Sequence, residues 1–143
     1  MKGLKDFILD DSPKTAKKLE KIFAKDPESG AYFEQLKAEV NRPSAQEFPK
    51  FRIIITDSFV CFSRLLFGGS LEIIPLSQIT NIYRTNIVRG GYDYENFTLA
   101  VETANGLRYL SVYPRTGAKS LDVFNEVIEA VRAKIAVNGG ALT

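Results

Sequence analysis

Residues 97–113 read FTLAVETANGLRYLSVY, and this stretch decides the fold class of the chain. Over its first six residues, Phe97, Leu99 and Val101 alternate with Thr98, Ala100 and Glu102, which is the period of a β-strand with one buried face. Asn105-Gly106 then favours a tight hairpin turn, and a second apolar run follows it. The stretch therefore predicts an antiparallel β-hairpin.

More strands are predicted on the N-terminal side of this hairpin. β-branched and aromatic residues form short runs there, and turn signals such as Asp57-Ser58 and Gly68-Gly69 separate them. One helical turn is predicted directly after Pro75. In all, six strands are predicted, over residues 51–56, 59–64, 71–74, 80–88, 97–103 and 107–113.

Helices are predicted on both sides of the strands. A short helix within residues 1–11 is followed by one that Ser12-Pro13 starts and that ends near Lys25, and then by a third over residues 29–40. The last two form a helical hairpin. A C-terminal helix capped by Ser120 is predicted from apolar residues that recur every three or four positions, namely Leu121, Phe124, Ile128, Val131 and Ile135.

The predicted fold class is therefore α+β. Residues 1–45 form an N-terminal helical segment, and residues 46–143 hold the strands and the C-terminal helix. At 143 residues the chain has the length of one domain, so the two parts are expected to form a single compact unit.

One run of residues resembles a known superfamily. Residues 73–82, IIPLSQITNI, resemble the I-P-L-x-x-I-x-x-I step of the GRAM and bacterial pleckstrin-homology-like families, and residues 55–60, ITDSFV, look like their opening hairpin. The resemblance covers residues 51–137 and implies a pleckstrin-homology-like antiparallel barrel or sandwich of seven strands, with the C-terminal helix plugging one end. That is one strand more than the six predicted, and residues 64–67 are where another could lie.

Composition excludes several classes of function. The chain has 19 Lys and Arg against 17 Asp and Glu, a net charge of +2, which is too low for a nucleic-acid-binding domain. It has no histidine, which rules out histidine-containing catalytic triads. Cys61 is the single cysteine, so neither a disulfide nor a cysteine zinc site is expected, and Cys61 is predicted to be buried. No apolar stretch reaches transmembrane length, and a cytoplasmic location is predicted.

One candidate binding site is the glycine-containing loop between the fourth and fifth predicted strands. Two tyrosines, two acids and two arginines lie in or beside it, a mixture that suits contact with a protein or peptide partner. The alternative is that the tyrosines pack back against the strands. The residues are Arg84, Arg89, Tyr92, Asp93, Tyr94 and Glu95.

A second candidate site lies on the first long helix. Five lysines recur at helical spacing and are expected to line one face, where they could meet anionic lipid or an acidic partner. The alternative is a solvated face balanced by Glu20. The residues are Lys14, Lys17, Lys18, Lys21 and Lys25.

These features predict a non-catalytic interaction module for a protein or peptide, with no cofactor and no metal. A small-ligand-binding protein or enzyme with a cone-shaped α+β fold is one alternative. A membrane-surface domain that uses the lysines is another. No inositol-phosphate site is expected, because residues 56–58, taken as the first hairpin loop, are short and contain an acid.

Overall fold

The computed structural model describes residues 3–64, 69–85, 87–88, 91–92, 96–114 and 118–137. They form an α+β structure with two antiparallel sheets, a separate two-stranded ladder and a C-terminal helix. The chain divides into two compact units, Met1–Pro75 and Leu76–Thr143. The helices before residue 45 thus share a unit with the first sheet. A compact unit need not fold on its own. The predicted division of the chain at residue 45 therefore stays a prediction.

The first unit begins with three helices: α1 (Leu4–Leu9), α2 (Pro13–Lys25) and α3 (Pro27–Glu39). Helix α2 has the predicted bounds. Helix α3 begins two residues earlier than predicted because Asp26, which ends α2, also caps α3: its carboxylate accepts the Ser29 N–H at 3.2 Å. The proline at position 27 suits the first turn, where its missing N–H costs no hydrogen bond.

The first sheet has four antiparallel strands in chain order: β1 (Gln46–Phe48), β2 (Ile53–Ile55), β3 (Phe59–Arg64) and β4 (Ser70–Pro75). Strand β1 was not predicted, because the proline after it reads as a break in regular structure. A 3-10 turn at Pro49–Phe51 and a left-handed Arg52, with φ 53°, separate β1 from β2. The predicted strand at 51–56 therefore begins at Ile53.

Helices and sheet of the first unit share one apolar core. Burial of Cys61 in the central strand β3 confirms the prediction for that residue. Its thiol lies with apolar side chains from all three helices and from strands β2 to β4. The buried members are Leu4, Ile8, Leu19, Ile22, Phe33, Leu36, Val40, Ile54, Phe59, Cys61, Leu71 and Ile73.

The second unit contains the sheet β5-β8-β9 and the ladder β6-β7, all antiparallel, over β5 (Ile79–Thr85), β6 (Ile87–Val88), β7 (Gly91–Tyr92), β8 (Asn96–Thr103) and β9 (Gly106–Pro114). A 3-10 turn at Leu76–Gln78 confirms the helical turn predicted after Pro75. The single strand predicted at 80–88 is wrong, because residues 87–88 pair with 91–92 while β5 pairs with β8.

The hairpin predicted over residues 97–113 is confirmed, with its turn one residue earlier than expected. Thr103 pairs with Gly106, so Ala104 and Asn105 are the two turn residues. The Thr103 hydroxyl accepts the Asn105 N–H at 3.1 Å and donates to the Gly106 carbonyl at 2.9 Å. Gly106 has φ 126°, a conformation that side chains other than glycine rarely adopt.

Helix α4 (Ala118–Val137) is the last element of the second unit, and it packs against β5. The prediction that Ser120 caps it is wrong, because the helix begins at Ala118 and Ser120 lies in its first turn. Its inward side chains recur every three or four residues and are buried, namely Phe124, Val127, Ile128, Val131 and Ile135. The Arg132 guanidinium donates to the Ile82 carbonyl at 3.2 Å, which ties α4 to β5.

Candidate docking surface

Three polar residues fix the start of α2. The Ser12 hydroxyl accepts the Thr15 N–H at 3.3 Å, which satisfies one of the free N–H groups of the first turn. The Asp10 carboxylate accepts the Ser12 N–H at 2.9 Å and the Thr15 hydroxyl at 2.7 Å. Asp10 therefore has a structural role at this helix start, and the register of α2 is set from its first residue.

The register of α2 decides which of its side chains face water. Thr15, Leu19 and Ile22 recur every three or four residues and are buried, so the opposite side of the helix faces outward. All five lysines predicted to share a face are on that outward side and are exposed. We call them the lysine surface: Lys14, Lys17, Lys18, Lys21 and Lys25.

Within the described ranges, the lysine surface has no charged or hydrogen-bonding partner. Among the described residues, no side-chain hydrogen bond or ion pair involves any of its five ammonium groups. Lys37 on α3 behaves differently, since its Nζ lies 2.7 Å from Asp11 and this hydrogen bond raises the pKa of the lysine. Glu20, the acid named in the alternative interpretation, forms no ion pair with these lysines among the described residues.

The positive charge of the chain is concentrated on this one helix. The whole chain has 19 basic and 17 acidic residues, a net charge of +2. Without the five lysines, 14 basic residues remain against 17 acidic ones, so the rest of the chain carries a net charge of −3. The net positive charge of the chain is therefore due to the five lysines of α2.

A second polar cluster joins α3 to the turn between β2 and β3. Glu39 is 2% exposed, and its carboxylate accepts the Ser58 N–H at 2.9 Å and the Gln35 side-chain N–H at 3.0 Å. Burial alone raises the pKa of Glu39, but hydrogen bonds from Ser58, Thr56 and Gln35 outweigh it, and the pKa lies below its ordinary value. This cluster was not predicted, because Glu39 and Ser58 are 19 positions apart in the sequence.

The turn at residues 56–58 lies next to this cluster and is held by it. With β1 present, the turn is the second hairpin of its sheet, and the first hairpin is residues 49–52. The assumption that 56–58 is the first hairpin is therefore wrong. Its Asp57 lies 3.2 Å from Arg42, and the carboxylate of Glu39 binds beneath it, so the turn is held by the protein's own groups and offers a phosphate no cationic pocket.

The polypeptide site predicted between the fourth and fifth strands lies mostly outside the described residues. Arg84 is exposed on β5, and Tyr92 belongs to the short strand β7 rather than to a loop. Arg89, Asp93, Tyr94 and Glu95 lie outside the described residues. The polypeptide site stays a prediction.

The single thiol and the acidic side chains were the remaining candidates for covalent or metal chemistry. Burial raises the pKa of the Cys61 thiol far above its ordinary value, and a buried thiol is a poor nucleophile. Within the described ranges, no group of three or more cysteine, aspartate and glutamate side chains is placed to hold a metal ion. The described surface is instead distinguished by the exposed positive charges of α2.

Comparison with protein-family models, curated proteins and solved structures found no match to this chain. None of the helices within the described ranges combines the length and the apolar character needed to cross a bilayer. The most distinct feature of the described residues is the lysine surface.

Proposed function

We propose that this chain is a non-catalytic binding module that docks onto an anionic partner through the lysine surface of α2. The observation that carries the proposal is the set of five exposed lysines, none of which has an ion-pair partner among the described residues. Five unpaired cations on one helix face repel one another, at a cost of a few tenths of a kcal/mol for each i,i+4 pair. A bound anion would remove that cost.

The rest of the first unit holds this surface in place. Ser12 and Asp10 fix where α2 begins, and the buried side chains of Leu19 and Ile22 fix its rotation against the core. Because the helix cannot turn about its axis without exposing these apolar groups, its lysines keep pointing outward. A preorganised row of charges binds an anionic partner with a smaller loss of entropy than a mobile one.

We propose in addition that the scaffold is a pleckstrin-homology-like antiparallel barrel or sandwich with the C-terminal helix at one end. Sheets of four and three antiparallel strands, followed by one helix, support this proposal, and the ladder β6–β7 would be an addition to those seven strands. The lysine surface lies before this scaffold in the chain, so the docking function does not depend on the family resemblance.

Site-specific photo-crosslinking in cells tests which surface is docked. A photoreactive residue replaces Ala24, which is exposed on α2, and in a control protein it replaces Ala133, which is exposed on α4. We expect adducts from position 24 at physiological ionic strength and their loss when all five lysines become glutamine. Equal adducts from both positions, or none from position 24, would contradict the proposal.

A further inference from the structure

The make-up of the lysine surface indicates the class of its partner. Its cations are all lysine, and the other exposed residues of α2 are one acid, Glu20, and the small residues Pro13, Ala16 and Ala24. At 1.5 Å per residue, the row from Lys14 to Lys25 is roughly 16 Å long, and its members fall within about 100° of the helix circumference. A straight, shallow row of this kind fits a flat surface.

A folded acidic protein is a poorer match to this surface than a lipid headgroup layer is. Protein interfaces are depleted in lysine and enriched in arginine and aromatic residues, because fixed, bidentate and stacked contacts recover the lost side-chain entropy. The lysine surface contains no arginine and no aromatic residue. Mobile anionic headgroups require no fixed pairing, so hydrated lysines can attract them without becoming ordered.

The positions of the apolar side chains indicate how deeply α2 could enter a lipid layer. Among the described residues, the large hydrophobic side chains classed as exposed are Leu107 and Val137, and neither is on α2. Leu19 and Ile22 are held in the core, so α2 has no exposed apolar face to insert between acyl chains. Contact would therefore be electrostatic and would stay at the level of the headgroups.

From these observations we infer that the partner of the lysine surface is a bilayer rich in anionic phospholipid, with α2 lying along its surface. This inference rests on the proposed docking function and names its partner class. The attraction comes from the five lysines, since the rest of the chain has a net charge of −3. Binding is reversible and weakens as salt screens the charges.

Vesicle sedimentation provides the test, with phosphatidylcholine vesicles that contain about one third phosphatidylglycerol and with pure phosphatidylcholine vesicles. The first variant, Lys17→Gln with Lys21→Gln, lowers the net charge by two on α2. Its matched control, Asn125→Glu with Ala136→Glu, lowers the net charge by two at exposed positions of α4. Thermal melting of each protein checks that the fold is kept.

We expect the unaltered chain to sediment with the anionic vesicles and not with the neutral ones. Each lysine near an anionic bilayer contributes about a fivefold change in affinity, so the lysine variant should bind roughly 25-fold more weakly. The α4 control should stay within about twofold of the unaltered chain, because it leaves all five charges of the lysine surface in place. About 1 M salt should release the protein.

Other outcomes would overturn the inference. Equal binding to neutral vesicles would show that charge does not drive the contact, and equal losses in both variants would show that net charge acts rather than the lysine surface. A parallel titration with polyglutamate separates the two proposals. If polyglutamate binds through the lysines and vesicles do not, the membrane inference fails and the docking function stands; if neither binds, both fail.

Discussion

Single residues tie the helices of the first unit to its sheet and to one another. Glu39 does so with a buried carboxylate that accepts two N–H groups, one from Ser58 and one from Gln35. Gly30 does so by its lack of a side chain, because a Cβ at this position would lie 3.0 Å from the Cβ of Phe23 on α2. One residue acts through hydrogen bonding and the other through close packing, so their substitutions should fail in different ways.

Replacing Glu39 by glutamine should destabilise the protein at neutral pH and flatten its response to acid. The pKa of Glu39 is lowered in the folded protein, so its carboxylate stabilises the fold above the unfolded pKa, and that contribution is lost as the pH falls through the folded pKa. We expect a loss of about 1–3 kcal/mol at pH 7. Urea denaturation at a series of pH values measures it.

The difference between the two proteins should shrink toward acid, because protonated Glu39 and glutamine are both neutral. Gln35→Ala serves as a control, since it removes one donor and keeps the charge. A constant difference between Glu39→Gln and the unaltered chain from pH 7 to about pH 3 would contradict the role of the charge.

Replacing Gly30 by alanine should destabilise the chain, although alanine is the better helix former by about 1 kcal/mol. The new Cβ would lie 3.0 Å from the Phe23 Cβ and 3.2 Å from its Cγ, and a Cβ cannot move without its backbone. Overpacking of this kind typically costs about 1–3 kcal/mol, which exceeds the gain in propensity. Chemical denaturation measures the sign, and a stabilised variant would show that α2 and α3 separate easily.

At the scale of elements, the sequence predicted those that depend on neighbouring residues and not those that depend on pairing between distant segments. Helix α2 and the β8–β9 hairpin were found because their caps, periods and turn residues lie within a few positions. Strand β1 was missed, since its pairing with β2 spans a turn that follows a proline. Helical spacing predicted the lysine surface, but only the structure could show that no acid among the described residues pairs with it.

Ser29 protects the outer edge of strand β4. Its hydroxyl accepts the buried Ile73 N–H at 3.0 Å and donates to the Asp26 carboxylate at 2.7 Å. A strand edge with free N–H groups is open to pairing with other chains, and Pro75, at the end of β4, has no N–H to offer. Helix α3 thus covers this edge with its own polar side chain.

Replacing Ser29 by alanine should leave the Ile73 N–H without a partner and cost about 1–3 kcal/mol. We also expect faster hydrogen exchange at this amide and a stronger tendency to aggregate. Ser77→Ala, at an exposed position in the 3-10 turn Leu76–Gln78, is the control. Unchanged protection of the Ile73 amide in the Ser29 variant would contradict the edge role.

At the scale of the molecule, the two units differ in what they provide. The first unit, Met1–Pro75, carries the lysine surface and the polar cluster around Glu39. The second, Leu76–Thr143, has its own sheet and its own helix, whose buried face includes Phe124. If docking belongs to the first unit, damage to the core of the second should alter stability without abolishing the charge-dependent contact.

Replacing Phe124 by alanine tests this division of roles. Phe124 is fully buried on α4, and such a truncation costs about 3–5 kcal/mol through lost burial and the cavity that remains. Asn125→Ala, at the exposed neighbouring position, should stay within about 0.5 kcal/mol of the unaltered chain. Well below the melting temperature of the Phe124 variant, its binding to anionic vesicles should equal that of the unaltered chain. Equal stability of the two alanine variants would contradict a core role for α4, and lost vesicle binding by a folded Phe124 variant would place part of the docking function in the second unit.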